Sequence, residues 1–554
     1  MSGMNRRTFY RNLFAGLALF PQGGNSQIRQ GRQHCPTEWS FSSGKSYRDP
    51  FNEIELDVIV SGPSGQDRVP AFWAGEQSWR VRYSGKAPGK YTWRTECSDR
   101  TNADLHERTG SLEIAPYEGG NVLLSRGPIR ISADRRHFEH TDGTPFFWLG
   151  DTWWMGLCRR MSWPKDIHTL AEDRVRKGFT VIQIVAGLYP DMPQFDPRGA
   201  NEAGYPWERD YARINPAYFD MADLRIEYLV SKGLAPCIVG CWGYYLPILG
   251  QKKIRQHWRY LVARWGALPV FWCLAGEGSM PYYLSKTRDQ DAAMQKHGWT
   301  ELGRYVRSID PYHRLITIHP STAARATVDD PSVLDFDMLQ TGHSDRKSIP
   351  NTIRLVTQSY AQTPVMPVLV GEVNYEGIME ASRQEVQRFM FWSCMLSGAA
   401  GHTYGANGIW QVNRAEKPFG PSPHGRSWGD TPWETAYQLP GSGQLGLAKK
   451  LLSRYEWWRF TPHPEWVAPH WTPENYVQAY AAGIPEQVRV FFFPDWGSPV
   501  VKALERNANY RAFFFSPVDG REFAIGTIAG DEHGDWKPAP PPIFQDWILV
   551  LERA

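Results

Sequence analysis

Between residues 125 and 458, eight short apolar runs recur, each separated from the next by enough chain for an amphipathic helix. They are Phe146–Leu149, Thr180–Ala186, Leu234–Val239, Val270–Ala275, Leu315–His319, Met338–Gln340, Val368–Val370 and Ala399–Tyr404. Apolar runs of this length suit strands covered on both faces, and strands alternating with helices read as a parallel sheet. The intervals predict helices over Phe219–Lys232, Gln251–Trp265, Glu301–Ser308 and Arg383–Leu396. Eight units in roughly 300 residues predict a (β/α)8 TIM barrel. Met338–Gln340 is short, three residues.

The flanks have another character. Residues 35–120 carry short alternating segments punctuated by Gly and Pro. In Trp79-Arg80-Val81-Arg82-Tyr83, for example, every second residue is apolar. That spacing predicts an N-terminal β-sandwich of immunoglobulin type. Residues 462–554 return to β character, with strands expected at Tyr476–Tyr480, Val488–Phe493, Arg511–Phe515 and Trp547–Leu551, making a small C-terminal β-sandwich.

The N-terminal 34 residues read as an address or as a basic, unstructured arm. Asn5-Arg6-Arg7-Thr8-Phe9 before the apolar stretch 13–20 resembles a twin-arginine export signal. Export to the periplasm or beyond is the expectation, without stable membrane insertion, because no apolar run reaches the ~18 residues of a membrane span. Net charge is only +3 and no basic run stands out, which argues against a nucleic-acid partner. The seven cysteines show no metal-ligand spacing; in an exported chain Cys35 and Cys97 could pair. No metal or cofactor is expected. The chain's 25 Trp exceed ordinary use, and an indole face suits the C–H face of a sugar, although core packing accounts for most of them.

In a barrel of this type the active site forms at the C-terminal ends of the strands. Two apolar runs end alike there: Phe271-Trp272-Cys273-Leu274-Ala275-Gly276-Glu277 and Val368-Leu369-Val370-Gly371-Glu372. As the fourth and seventh strands they stand opposite one another across the mouth. Glycosidic cleavage needs such a pair, one carboxylic acid to protonate the leaving oxygen and a second carboxylate to attack or to activate water. The competing reading is a buried ion pair with an arginine such as Arg213 or Arg259, and Glu376 competes with Glu372. Other polar and aromatic residues after the strands are candidate substrate contacts: Asp151, Trp153, Trp154, Trp242, His343, Asn374, His402 and Tyr404. Trp410 is a further stacking candidate, whereas Trp272 lies within a strand and reads as core.

The segments Phe147-Trp148-Leu149-Gly150-Asp151-Thr152-Trp153-Trp154, Leu339-Gln340-Thr341-Gly342-His343 and Val370-Gly371-Glu372-Val373-Asn374-Tyr375-Glu376 resemble the apiosidase-like catalytic domain of glycoside hydrolase family 140 and its relatives. The N-terminal region resembles the immunoglobulin-like domain that precedes such barrels. The tail resembles a β-domain that carries a collagen-binding label, here only a name. The resemblance implies Glu277 as general acid/base and Glu372 as nucleophile. One position departs from the wider clan, which places Asn before the acid/base; here it is Gly276.

The expected function is therefore a glycoside hydrolase, retaining, with two catalytic Glu, acting on a plant or microbial polysaccharide or glycoside. The alternative is a non-catalytic carbohydrate-binding or cell-surface interaction protein built on a barrel scaffold.

Overall fold

The structure, a computed structural model, describes residues 28–554. The twin-arginine-like segment lies outside the described residues. The eight expected runs form eight parallel strands: β1 (Trp148–Thr152), β2 (Val181–Val185), β3 (Ala235–Val239), β4 (Phe271–Cys273), β5 (Ile316–Thr317), β6 (Asp337–Gln340), β7 (Val368–Glu372) and β8 (Gly401–Tyr404). Their ladder runs β5-β4-β3-β2-β1-β8-β7-β6. Between β5 and β6 the wall is completed by single bonds, Asp335 N to Ile316 O (2.8 Å) and Thr317 Oγ1 to Phe336 O (3.0 Å).

Seven helices cover this wall: α1 (Lys165–Arg176), α2 (Pro216–Ser231), α3 (Tyr245–Trp265), α4 (Arg288–Ile309), α5 (Ile349–Ala361), α6 (Gln384–Met395) and α7 (Pro440–Leu452). The β5–β6 crossover has only two short 3-10 turns, Ala324–Ala326 and Pro331–Val333. Helix α3 is broken at Gly250, whose φ of 76° and ψ of 160° are not helical, so its regular part starts where the sequence pattern does, at Gln251. Helix α4 begins 13 residues before the expected Glu301, because its first turns are polar and carry little periodicity.

The side-chain alternation of β1 positions everything that follows. Trp148 points into the barrel, against Phe271 (4.6 Å between ring centroids), Phe336 (5.7 Å) and Phe138 (5.5 Å). Phe138 comes from a small three-stranded sheet, Ile129–Ile131, Phe138–His140 and Pro145–Phe146, that closes the barrel floor. Aromatic pairs of this kind contribute about 0.5–1.5 kcal/mol each beyond their buried area. With Trp148 inward, Asp151 is turned outward to the helices by the two-residue period of a strand.

The N-terminal region is two facing sheets, one of five strands and one of three, with Trp39 of one against Trp93 of the other at 5.7 Å. Trp79, Val81 and Tyr83 are buried, as their alternation predicts. This unit docks on α2 and α3 through buried Arg82, which bonds Asp223 at 2.5 Å. The C-terminal region is a six-stranded antiparallel sheet faced by a two-stranded ribbon. Tyr480–Ile484 forms a strand where the sequence suggested Tyr476–Tyr480, and Glu522–Ile528 adds a strand at the sheet edge. Phe389 of α6 packs on Tyr480 and Phe492 of this sheet, and Arg388 bonds Asp546 beside it. All seven cysteines are free, Cys35 and Cys97 included, so that possible disulfide is not formed. No described helix is long and apolar enough to cross a membrane.

Candidate active site

Glu372 ends β7, where β6 and β7 fall out of register. Leu339 pairs with Val370, but the next residue, Gln340, pairs with Glu372, leaving Gly371 as an extra residue. A β-bulge of this kind re-aims the side chain that follows it. By plain alternation Glu372 would share the outward face of Val370, which lies opposite His402 on β8. The bulge turns it into the mouth. Gly371 fits there because a Cβ would lie 2.4 Å from Met338 Cγ.

Glu277 follows β4 by a different route. Gly276 continues the β3–β4 pairing by bridging Trp242, and a Cβ on Gly276 would lie 2.2 Å from the Trp242 ring. This close ring accounts for glycine where the wider clan has Asn. Glu277 then takes a left-handed backbone conformation, φ 43°, uncommon for a residue with a side chain. Its carboxylate accepts from Trp242 Nε1 at 3.3 Å.

Gln340 joins the two acids. Its Nε2 donates to Glu277 Oε1 at 3.1 Å and to Glu372 Oε1 at 3.2 Å, so these two oxygens stand no more than 6.3 Å apart. His343 Nε2 lies 2.6 Å from Glu372 Oε1. His319 Nε2 lies 3.1 Å from Glu372 Oε2, too poorly aligned for a full hydrogen bond. His319 Nδ1 accepts from the Glu277 amide at 3.4 Å, which puts the ring's proton on Nε2, toward Glu372. Tyr375 faces Glu372 with its hydroxyl and accepts from Trp154 Nε1 at 2.9 Å.

These contacts divide the proton between the acids. Burial, then the charge of Glu372, push Glu277 above the ordinary carboxylate range. Burial also opposes charge on Glu372, but the close approach of His319 and His343 outweighs it and holds that group well below the ordinary range. The two acids are thus pushed in opposite directions, the kind of division that acid and base chemistry at one site requires.

Neither arginine suggested as a partner is present: Arg213 pairs with Glu208 and Arg259 with Asp57. Glu376 is buried and accepts from Tyr404 Oη (2.5 Å) and the Gly441 amide (3.1 Å). Among the suggested substrate contacts, the structure gathers Trp154, Trp242 and His343 around the carboxylate pair. Trp154 and Trp242 meet edge to face at 5.6 Å. Trp410 stacks on Tyr375 at 6.1 Å.

Five others are not brought there. Asp151 is fully buried and accepts from Arg174 Nε (2.6 Å) and Trp153 Nε1 (2.7 Å), which removes both Asp151 and Trp153 from the mouth. His402 and Tyr404 share Asp151's outward parity; His402 packs on Phe391 of α6, and burial lowers its pKa to about 3. Asn374 is fully buried, donating to Asp345 O and accepting from Ser348 Oγ. Trp272 is core, as expected, and donates to Asp310. Gln340 and Tyr375 carry the pair's contacts without having been singled out as site residues, and His319, noticed only as a polar residue after the fifth strand, was given no role. Their one signal is a polar residue within three positions of a strand end. Among the described residues no cluster of His, Cys, Asp and Glu is suited to hold a metal ion.

A parallel eight-stranded barrel with two carboxylates brought together at its C-terminal mouth has the architecture that glycoside hydrolases use. The chain belongs to a particular family of them: residues 132–459 match the apiosidase-like catalytic domain. Residues 32–98 match a domain of unknown function, DUF5060. Among solved structures the chain is similar to a glycoside hydrolase at 24% identity, covering 77% of this chain and 97% of that one, TM-score 0.64. A family 5 glycoside hydrolase from Bacteroides vulgatus ATCC 8482 matches at 23% identity over 77% of this chain and 94% of its own, TM-score 0.65. A third structure, from the same organism, is 16% identical and covers 95% of this chain and 100% of its own, TM-score 0.68. At these identities the likeness is one of fold. No curated protein matches the chain.

Proposed function

We propose that the protein is a retaining glycosidase in which Glu277 is the general acid/base and Glu372 the nucleophile. The observation that carries this reading is the Gln340 amide held between both carboxylates. It brings one oxygen of each carboxylate within 6.3 Å of the other, the close approach that suits a retaining pair, whose carboxyl groups stand about 5–5.5 Å apart.

In this mechanism protonated Glu277 gives its proton to the glycosidic oxygen as the C–O bond breaks. Glu372 attacks the anomeric carbon from the opposite face, forming a glycosyl-enzyme ester, and the leaving group departs as an alcohol. Glu277, now ionised, takes a proton from water as that water attacks the same carbon and releases Glu372. His343, His319 and Tyr375 keep Glu372 ionised and aimed. Gln340 donates to whichever acid carries charge. Trp154, Trp242 and Trp410 supply apolar walls for a sugar ring.

The substrate class is a plant or microbial polysaccharide or glycoside, apiosides included. The basic segment before the apolar stretch 13–20 supports export through a twin-arginine route, and the two facing N-terminal sheets support an immunoglobulin-like accessory domain. The test is the anomer released. Proton NMR in the first seconds of hydrolysis is expected to show the substrate's own configuration; initial release of the opposite anomer overturns the retaining mechanism.

A further inference from the structure

We propose that Asp191, with Tyr283 and Trp428, forms a leaving-group subsite that grips sugar hydroxyls beyond the scissile bond, so that the natural substrate is a sugar–sugar linkage. This rests on Glu277 being the proton donor.

Asp191 lies in the loop after β2, outside every contact that the carboxylate pair makes for itself. It is partly exposed and has no ion-pair partner among the described residues; the nearby Arg198 is bonded instead to Asp196. A carboxylate drawn into a protein surface without an ion-pair partner in contact is costly unless a ligand uses it. Its backbone is left-handed, φ 56°, and is held there by Tyr283, whose hydroxyl accepts from the Asp191 amide at 3.2 Å and donates to Oδ1 at 3.1 Å. Trp428, from the loop after β8, lies beside the same carboxylate and turns its indole N–H toward it. His424 of that loop meets the Tyr283 ring edge to face at 5.0 Å. Three loops therefore converge on one carboxylate that is still able to accept hydrogen bonds, beside two aromatic side chains. A carboxylate accepting from adjacent hydroxyls and an indole under the ring are how a protein holds a pyranose or furanose.

Its placement assigns the side of the bond. Tyr283 is six residues beyond Glu277 in the same loop, and its hydroxyl responds to the charges of both Asp191 and Glu277. The loop of Asp191 is tied through Leu188 O to the amide of Trp242 (2.8 Å), whose indole touches Glu277. The opposite flank, around Glu372, is occupied by His319, His343 and Tyr375. The proton donor stands at the glycosidic oxygen, so a carboxylate on its flank faces the departing unit.

Three substrates sharing one glycone test this: a nitrophenyl glycoside, a phenyl glycoside with a poor leaving group but no hydroxyls, and a disaccharide. Asp191→Ala is expected to lower kcat/KM on the disaccharide about 10- to 100-fold, chiefly through KM, the scale of a hydrogen bond to a charged group. Turnover of both aryl glycosides should change less than about threefold. Tyr283→Phe, which frees Asp191 without removing it, is expected to give a smaller loss in the same pattern. Equal losses on disaccharide and phenyl glycoside would mean that Asp191 acts only through Glu277; no loss on the disaccharide would mean no subsite. Either overturns the proposal. Glu277→Ala in the same series separates the underlying assignment: if it spares the phenyl glycoside as well as the nitrophenyl one, the identity of the acid has failed, not the subsite alone.

Discussion

His343 Nε2 stands 2.6 Å from Glu372 Oε1, the shortest contact made by either mouth carboxylate. It favours the ionised form of a buried acid, and with His319 it reverses the effect of burial. Activity that needs ionised Glu372 is present above its depressed pKa and is lost only as pH falls through that value. His343→Ala should therefore move the acidic limb of kcat/KM to higher pH and lower the plateau about 10- to 100-fold, by loss of a charge-assisted bond. A pH–rate profile checks both. An unmoved acidic limb would remove His343 from this role.

The basic limb belongs to Glu277. As an acid it must be protonated, so activity is present below its raised pKa and lost as pH rises through it. The charge on Glu372 is one cause of that elevation. Neutralising it in Glu372→Gln should lower the pKa of Glu277, as read by carboxyl infrared titration of the variant against Glu277→Gln.

Glu277→Ala should spare substrates with good leaving groups and lose about 10²–10⁴-fold on poor ones, the span of general acid catalysis. A Brønsted series of aryl glycosides measures it. A uniform loss across the series would contradict the acid role.

Gln340→Leu keeps the volume and removes the donor shared by both acids. Expected is a fall in kcat of about 10-fold or more with little change in KM, since the amide holds the carboxylates rather than the sugar. Gln340 was hard to find in the sequence because nothing marks a neutral amide in a short run such as Met338-Leu339-Gln340. Its importance follows from the bulge opposite, which only strand pairing reveals. The two glutamates were legible because Gly-Glu closes two long apolar runs at strands four and seven. The barrel was legible for a related reason: strands covered on both faces cannot hide polar residues. Asp151, His402 and Tyr404 share the position after a strand but have the other parity, and a list of strand ends does not carry parity. The missing α-helix after β5 and the start of α4 went unread because polar segments carry no periodicity.

Asp151 has a structural role that can be measured. Its bond to Arg174 is fully buried on both sides, and breaking such a pair from one end costs about 3–5 kcal/mol. Asp173 keeps a second contact with Arg174 at 2.6 Å, so Asp151→Asn should fall near the lower figure, with a thermal midpoint lowered by several degrees. A midpoint equal to the parent's would mean that the pair contributes nothing.

The most direct measurement is turnover of an activated aryl glycoside by Glu372→Gln, using a nitrophenyl glycoside that the parent enzyme hydrolyses. The amide cannot form the glycosyl ester, so kcat should fall by several orders of magnitude while the fold, followed by circular dichroism, is unchanged. Turnover equal to the parent's would show that the covalent step does not pass through this residue.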